Sequence, residues 1–182
     1  MKSLQDQLAN YAAYHRDARN IATHFVGIPM IVLAVVTLLS RPFVMVDLGP
    51  LSEAHALALS PALLGVLLTA AYYLRLDVAL GLLMSALLAV ALAVGHLLAL
   101  HPTSAWLGWG VGLFVVGWVF QFVGHYWEGR KPAFVDDLIG LIIGPLFVVT
   151  EALFMLGLLP ALRQRIEAQV GPVRTQRVMR SS

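Results

Sequence analysis

With 182 residues, 59% hydrophobic and only 12% charged, and a mean hydropathy of +0.81, the chain has too little polar surface for a water-soluble domain and reads as a multi-pass membrane protein. Its formal charge of +2 comes mostly from a basic C-terminal tail without interleaved aromatics, which sets nucleic acid aside and points to anionic headgroups of membrane lipids. The absence of cysteine excludes disulfides, thiolate ligands and thiol nucleophiles.

In chain order, Leu4, Leu8, Tyr11 and His15 fall at i, i+4, i+7 and i+11, the stripe of an amphipathic helix lying on the membrane surface, with His15 turned inward. The apolar run Ile21–Leu39 follows Arg16, Asp17 and Arg19 and lacks a small-residue cleavage pattern, so it predicts a span and not a signal peptide. On one continuous helix His24 would lie about 180° around from His15. A break between them is therefore expected, with Asp17 and Asn20 suited to capping it. His55 falls in the first outer loop. Further spans are predicted at Ala58–Leu74, Val78–Leu100 and Trp106–Tyr126. In the last of these, Gln121, His125 and Glu128 stand at i, i+4 and i+7 on one face, and Gly129 can end the helix. Asp136 and Asp137 suit the N-terminus of the final apolar segment, Leu138–Leu159, the sharper alternative being support of a metal site. Gly144, Pro145 and Glu151 predict that this segment is broken, re-entrant or interfacial.

Charge placement favours four spans over five. With four spans and a cytoplasmic N-terminus, eleven Lys and Arg residues share the cytoplasmic side against Arg41 alone; a fifth span makes the count six against six. The predicted fold is thus all-α, a transmembrane bundle of four spans with an N-terminal amphipathic helix and a broken C-terminal helix. Residues 1–160 form one membrane-embedded domain and 161–182 a basic cytoplasmic tail.

On this topology His15, His24 and His125 all reach the cytoplasmic end. His96, 21 residues after Arg75 and so roughly 30 Å along a helix, lies near the opposite face with His101. Neutral imidazoles with carboxylates nearby suit iron, zinc or copper, and two or three histidines leave positions open for substrate. The alternative is a hydrogen-bonded polar cluster that ties helices together. Glu128 is read as an acceptor that orients an imidazole, against direct ligation or pairing with Arg130. Helix centres such as Leu80 to Val94 lack charges, which argues against a transporter. A haem or zinc protein and a non-catalytic scaffold stay open, whereas the multiple HxxHH-type boxes of membrane desaturases are absent.

His15, Asn20 and His24, then Tyr72, Tyr73 and Arg75, then the stretch from Gln121 to Pro132, and finally Asp136, Asp137, Gly144 and Pro145 resemble the Mpo-like family over residues 1 to about 160. Its fungal member is an endoplasmic-reticulum 2-hydroxy fatty acid dioxygenase. Ala18 departs from the proline or similar turn former expected there, without touching a candidate ligand. The resemblance implies iron(II) on His15, His24 and His125, with Asn20, Gln121 and Glu128 in supporting catalytic roles. It implies dioxygen and a long-chain 2-hydroxy fatty acid as substrates, cleaved between C1 and C2 to an acid one carbon shorter. Arg16, Arg19 or Arg130 would hold the carboxylate, a role weighed against the positive-inside signal. Phe25, Phe120, Phe122 and Trp127 would offer an apolar wall to the acyl chain, or serve as packing. The membrane is the cytoplasmic one in a bacterium and the endoplasmic reticulum in a eukaryote, and a homo-oligomer is compatible with all of this.

Overall fold

The computed structural model describes residues 2–41, 43–46 and 57–175; His55 lies outside them. Within them the chain forms seven α-helices and one short hairpin: α1 Leu4–Ala12, α2 Ala18–Leu39, β1 Val44–Val46, β2 Leu57–Leu59, α3 Pro61–Leu76, α4 Val78–Ala99, α5 Thr103–Glu128, α6 Gly140–Met155 and α7 Pro160–Val170. A 3₁₀ turn at Ala133–Val135 precedes α6. The two strands pair antiparallel, Val44 opposite Leu59.

Three helices, α2, α4 and α5, are long and apolar enough to cross a membrane. The second predicted span, Ala58–Leu74, is found as α3, shifted to Pro61–Leu76; its 16 residues reach about 24 Å at the helical rise, short of a hydrocarbon core of about 30 Å. Its ends are sharply fixed. Ser60 caps it by accepting from the Leu63 N–H at 3.2 Å, Pro61 occupies the first turn, and Asp77 already caps α4 through the Leu80 N–H at 2.8 Å. A broken C-terminal element is present, but the break falls later than Gly144 and Pro145. Pro145 sits inside α6 as its sixth residue, where it forfeits one backbone bond without ending the helix. The chain instead turns at residues 156–159, where Gly157 and Leu159 adopt positive φ of 77° and 54°, and α7 leaves at 115° to α6.

The chain divides into two compact units, one spanning Met30–Val115 and the other built from the residues up to Pro29 with those from Val116 onward. In the first, Arg41 ties the end of α4 to the start of α5. It donates to Ala99 O at 2.6 Å, to His101 O and to Thr103 Oγ1 at 3.3 Å, with its guanidinium over the Trp106 ring. Those carbonyls at a helix C-terminus would otherwise lack donors. His96 packs edge-on against Phe43.

The second unit holds α1, the start of α2, the end of α5, α6 and α7. Ser3 and Asp6 form a reciprocal capping box on α1. The predicted stripe buries Leu8 and Tyr11, and α1 packs against α6 and α7. α2 and α5 approach closely where glycine removes a side chain. A Cβ on Gly27 would stand 2.7 Å from Gly117 O and 2.9 Å from Phe120 Cβ, and one on Gly124 would collide with Thr23 Oγ1 and Asn20 Oδ1.

Candidate metal centre

The required break between His15 and His24 occupies residues 13–17, between α1 and α2. Asp17 is the N-cap of α2: its Oδ1 accepts from the Arg19 N–H at 2.9 Å. The helix starts at Ala18, three residues before the expected Ile21, because this cap lies upstream of the apolar run. At the other contributor, α5 ends at Glu128 and Gly129 takes φ 71°, as its position predicted. These two terminations bring His15, His24 and His125 together, all buried, with one ring nitrogen of each within 4.8 Å of the others.

Hydrogen bonds fix the orientation of two rings. His15 Nδ1 lies 2.7 Å from Tyr11 O and His24 Nδ1 lies 2.8 Å from Asn20 O, each one turn back along the chain. A carbonyl only accepts, so each Nδ1 carries the proton and each Nε2 presents a lone pair. Those two Nε2 atoms face one another at 3.0 Å. The buried Nδ1 of His125 has no hydrogen-bond partner. Converging lone pairs repel unless a cation lies among them. A proton is disfavoured, because burial, and then the neighbouring His24, hold His15 well below its ordinary pKa of 6.5. A metal ion fits. Adjacent nitrogens on bonds of about 2.1 Å lie about 3.0–3.4 Å apart, the separation that His15 and His24 already show.

Around the rings, Tyr11 stacks on His15 at 4.2 Å and 5° between planes, and Phe147 from α6 packs against both. Tyr11 also borders a half-open cleft of about 380 Å³ between α1 and α6. Neither Phe147 nor the stacking was legible in the sequence, since an apolar run marks no residue as facing the histidines. Of the aromatics proposed as an acyl wall, Phe122 and Trp127 are exposed on the outer face of α5, and Phe25 and Phe120 are half-buried.

Glu128 touches none of the three rings by hydrogen bond. Its Oε2 accepts from the backbone N–H groups of Arg16 at 2.9 Å and Asp17 at 2.8 Å and from Asn20 Nδ2 at 3.1 Å. It therefore holds the turn that carries His15, and Asn20 braces that contact while its backbone carbonyl orients His24. Gln121 is buried beside Gly27 with its Nε2 unpartnered. Arg16 is fully engaged, donating to Ala12 O, His15 O and Gly171 O and pairing with Glu151 at 3.4 Å. Arg19 is held by Asp17 and lies over Trp127. Arg130 is exposed; its Nη1 donates to Ala13 O at 2.8 Å, and among the described residues it makes no ion pair. Asp136 pairs with Lys131 and accepts from Tyr14, away from the helix-start role expected of it; Asp137 accepts from the Ile139 N–H just ahead of α6, whose N-cap, Ile139, has no side-chain cap.

Apolar helices of membrane-spanning length and a buried three-imidazole cluster describe a helical membrane-type protein with a candidate metal centre. The model of a family described as 2-hydroxy-palmitic acid dioxygenase Mpo1-like matches residues 1–156, and the chain belongs to that family. It is 34% identical over 166 residues to the 2-hydroxy-palmitic acid dioxygenase MPO1 of Saccharomyces cerevisiae, covering 90% of this chain and 87% of that protein. No solved structure matches it significantly.

Proposed function

We propose that this chain is an iron(II)-dependent membrane dioxygenase that shortens 2-hydroxy fatty acids by one carbon, with His15, His24 and His125 holding the metal. The observation that carries the reading is the pair of Nε2 atoms 3.0 Å apart, each forced by a carbonyl on its Nδ1 to present a lone pair. Family membership supplies the reaction class, since the yeast relative is named for 2-hydroxypalmitic acid. Charge placement puts the cluster at the cytoplasmic end of the helices, with α6 and α7 as a bent element beside the spans.

Three neutral imidazoles leave the full double charge on a divalent ion, which favours an anionic, oxygen-bearing substrate such as a 2-hydroxy acid. When bound, iron(II) would supply Lewis-acid and redox chemistry for dioxygen and that substrate. The chain's own groups do the rest. The Tyr11 and Asn20 carbonyls keep protons on Nδ1, so neither imidazole turns its N–H inward. Tyr11 and Phe147 exclude water from one side of His15. Arg130, which reaches the turn before His15 through Ala13 O and makes no ion pair among the described residues, has donors left for a carboxylate. The overall reaction balances without an external reductant: a 2-hydroxy acid and dioxygen give the shorter acid, carbon dioxide and water.

Anaerobically handled, detergent-purified protein should contain near-stoichiometric iron and convert 2-hydroxypalmitic acid to the C15 acid when oxygen is admitted. His125→Ala should lose iron and activity while keeping a cooperative unfolding transition. Zinc in place of iron, or full iron content in His125→Ala, would sink the assignment. Arg130→Gln should raise KM severalfold with a smaller change in kcat; an unchanged KM would remove the arginine from substrate binding.

A further inference from the structure

The tail after α7, which from sequence reads as exposed and basic, runs back to the turn that carries His15. The Arg174 N–H donates to Arg16 O at 2.7 Å and the Ala18 N–H donates to Arg174 O at 3.0 Å, so that Arg174 and Asp17 form a short parallel bridge. Arg16 Nη1 donates to Gly171 O at 3.0 Å. The Arg174 guanidinium reaches Glu128 Oε1 at 2.5 Å. The side chain of Glu128 is 1% exposed while that of Arg174 is 55% exposed, so the arginine caps a buried carboxylate from the solvent side. Arg16 donates its backbone N–H to the same carboxylate, but its guanidinium is committed to Glu151. Among the described residues, Arg174 is the ion-pair partner of Glu128.

We propose that Arg174 is a positioning residue of the metal centre, acting through Glu128; this rests on the metal reading given above. A buried carboxylate deprived of its counter-charge takes up a proton or turns towards water. Turning removes, and protonation weakens by taking away the charge, the acceptor shared by the Arg16 and Asp17 N–H groups and Asn20 Nδ2. The residues between α1 and α2 then lose the clamp that sets His15 against His24. The histidines lie within residues 1–156, matched by the family model, whereas Arg174 lies beyond that match. The centre is thus completed by a strap that the family match does not include.

The test is cobalt(II) titration of the full chain in detergent, read by visible absorption of the bound ion and compared with the unfolding midpoint of the metal-free protein. Arg174→Ala should weaken binding about tenfold, the lower end of what loss of an outer-shell partner typically costs, and should alter the absorption band. Arg174→Lys should recover most of the affinity, and Arg165→Ala, on exposed α7, should match wild type. In a Glu128→Gln background, Arg174→Ala should have little further effect. If alanine prevents folding, Arg174→Gln takes its place with the same expectation. Wild-type affinity and absorption in Arg174→Ala, with only a lowered unfolding midpoint, would overturn the inference. So would an equal loss on Arg174→Ala whether or not Glu128→Gln is present. Wild type that binds neither cobalt nor iron would overturn the metal reading, and the inference with it.

Discussion

His15 is held neutral by its surroundings, and this makes the centre sensitive to acid. Its native pKa is depressed by burial first and by its imidazole neighbour second, whereas the unfolded chain titrates near 6.5. Below that value the unfolded state binds a proton that the native state refuses, so stability is intact above about pH 6.5 and falls as pH drops towards the depressed native value. On the proposed function, metal retention should follow the same direction, because a ligating nitrogen must stay unprotonated. Unfolding midpoints of the metal-free protein at pH 7.5 and 5.5 should fall on acidification, and His15→Asn should flatten part of that dependence. An equally steep profile in the variant would assign the sensitivity to other groups.

At the scale of elements, the site depends on how closely α2 and α5 approach, and glycine sets that distance. Gly27→Ala would drive a Cβ to 2.7 Å from a backbone oxygen of α5, which cannot swing aside as a side chain can. We expect a destabilisation of about 1–3 kcal/mol together with reduced metal occupancy. Gly112→Ala, with nothing within 4 Å, should be neutral or stabilising by up to about 1 kcal/mol. Metal content and unfolding of both variants measure this directly. The sequence carried the need for the 13–17 break, since nine residues on one helix put His15 and His24 on opposite faces. It also carried the stop at Gly129 and the alignment of Gln121, His125 and Glu128. It did not carry the partners of Glu128. Two of these are backbone N–H groups more than a hundred positions away, and no side-chain pattern marks which main-chain donors a carboxylate will meet. Nor did it locate the C-terminal break: proline is tolerated in the opening turns of α6, and the left-handed Leu159 gives no warning in composition.

For the whole molecule, the outward faces of α3, α4 and α5 carry large exposed apolar side chains, among them Leu68, Val90 and Phe122. These faces suit lipid, as the composition implied, and the membrane reading predicts a depth-dependent penalty for charge. Val90→Arg, near the middle of α4, should cost roughly 2.5–3.5 kcal/mol of insertion free energy and lower the fraction resistant to alkaline extraction, whereas Val90→Leu should leave it unchanged. Equal extraction of both would argue against α4 as a span. The three clustered histidines and the polar groups that brace them belong to the unit assembled from the two ends of the chain. That arrangement has a temporal consequence during synthesis. His15, Asn20 and His24 leave the ribosome about a hundred residues ahead of His125 and Glu128, and some 150 ahead of Arg174. Until α5 arrives, the two imidazoles keep their Tyr11 and Asn20 carbonyl partners but lack His125, and the Asn20 carboxamide lacks Glu128. On the proposed function, metal loading is expected to be a late event, coupled to the arrival of α5.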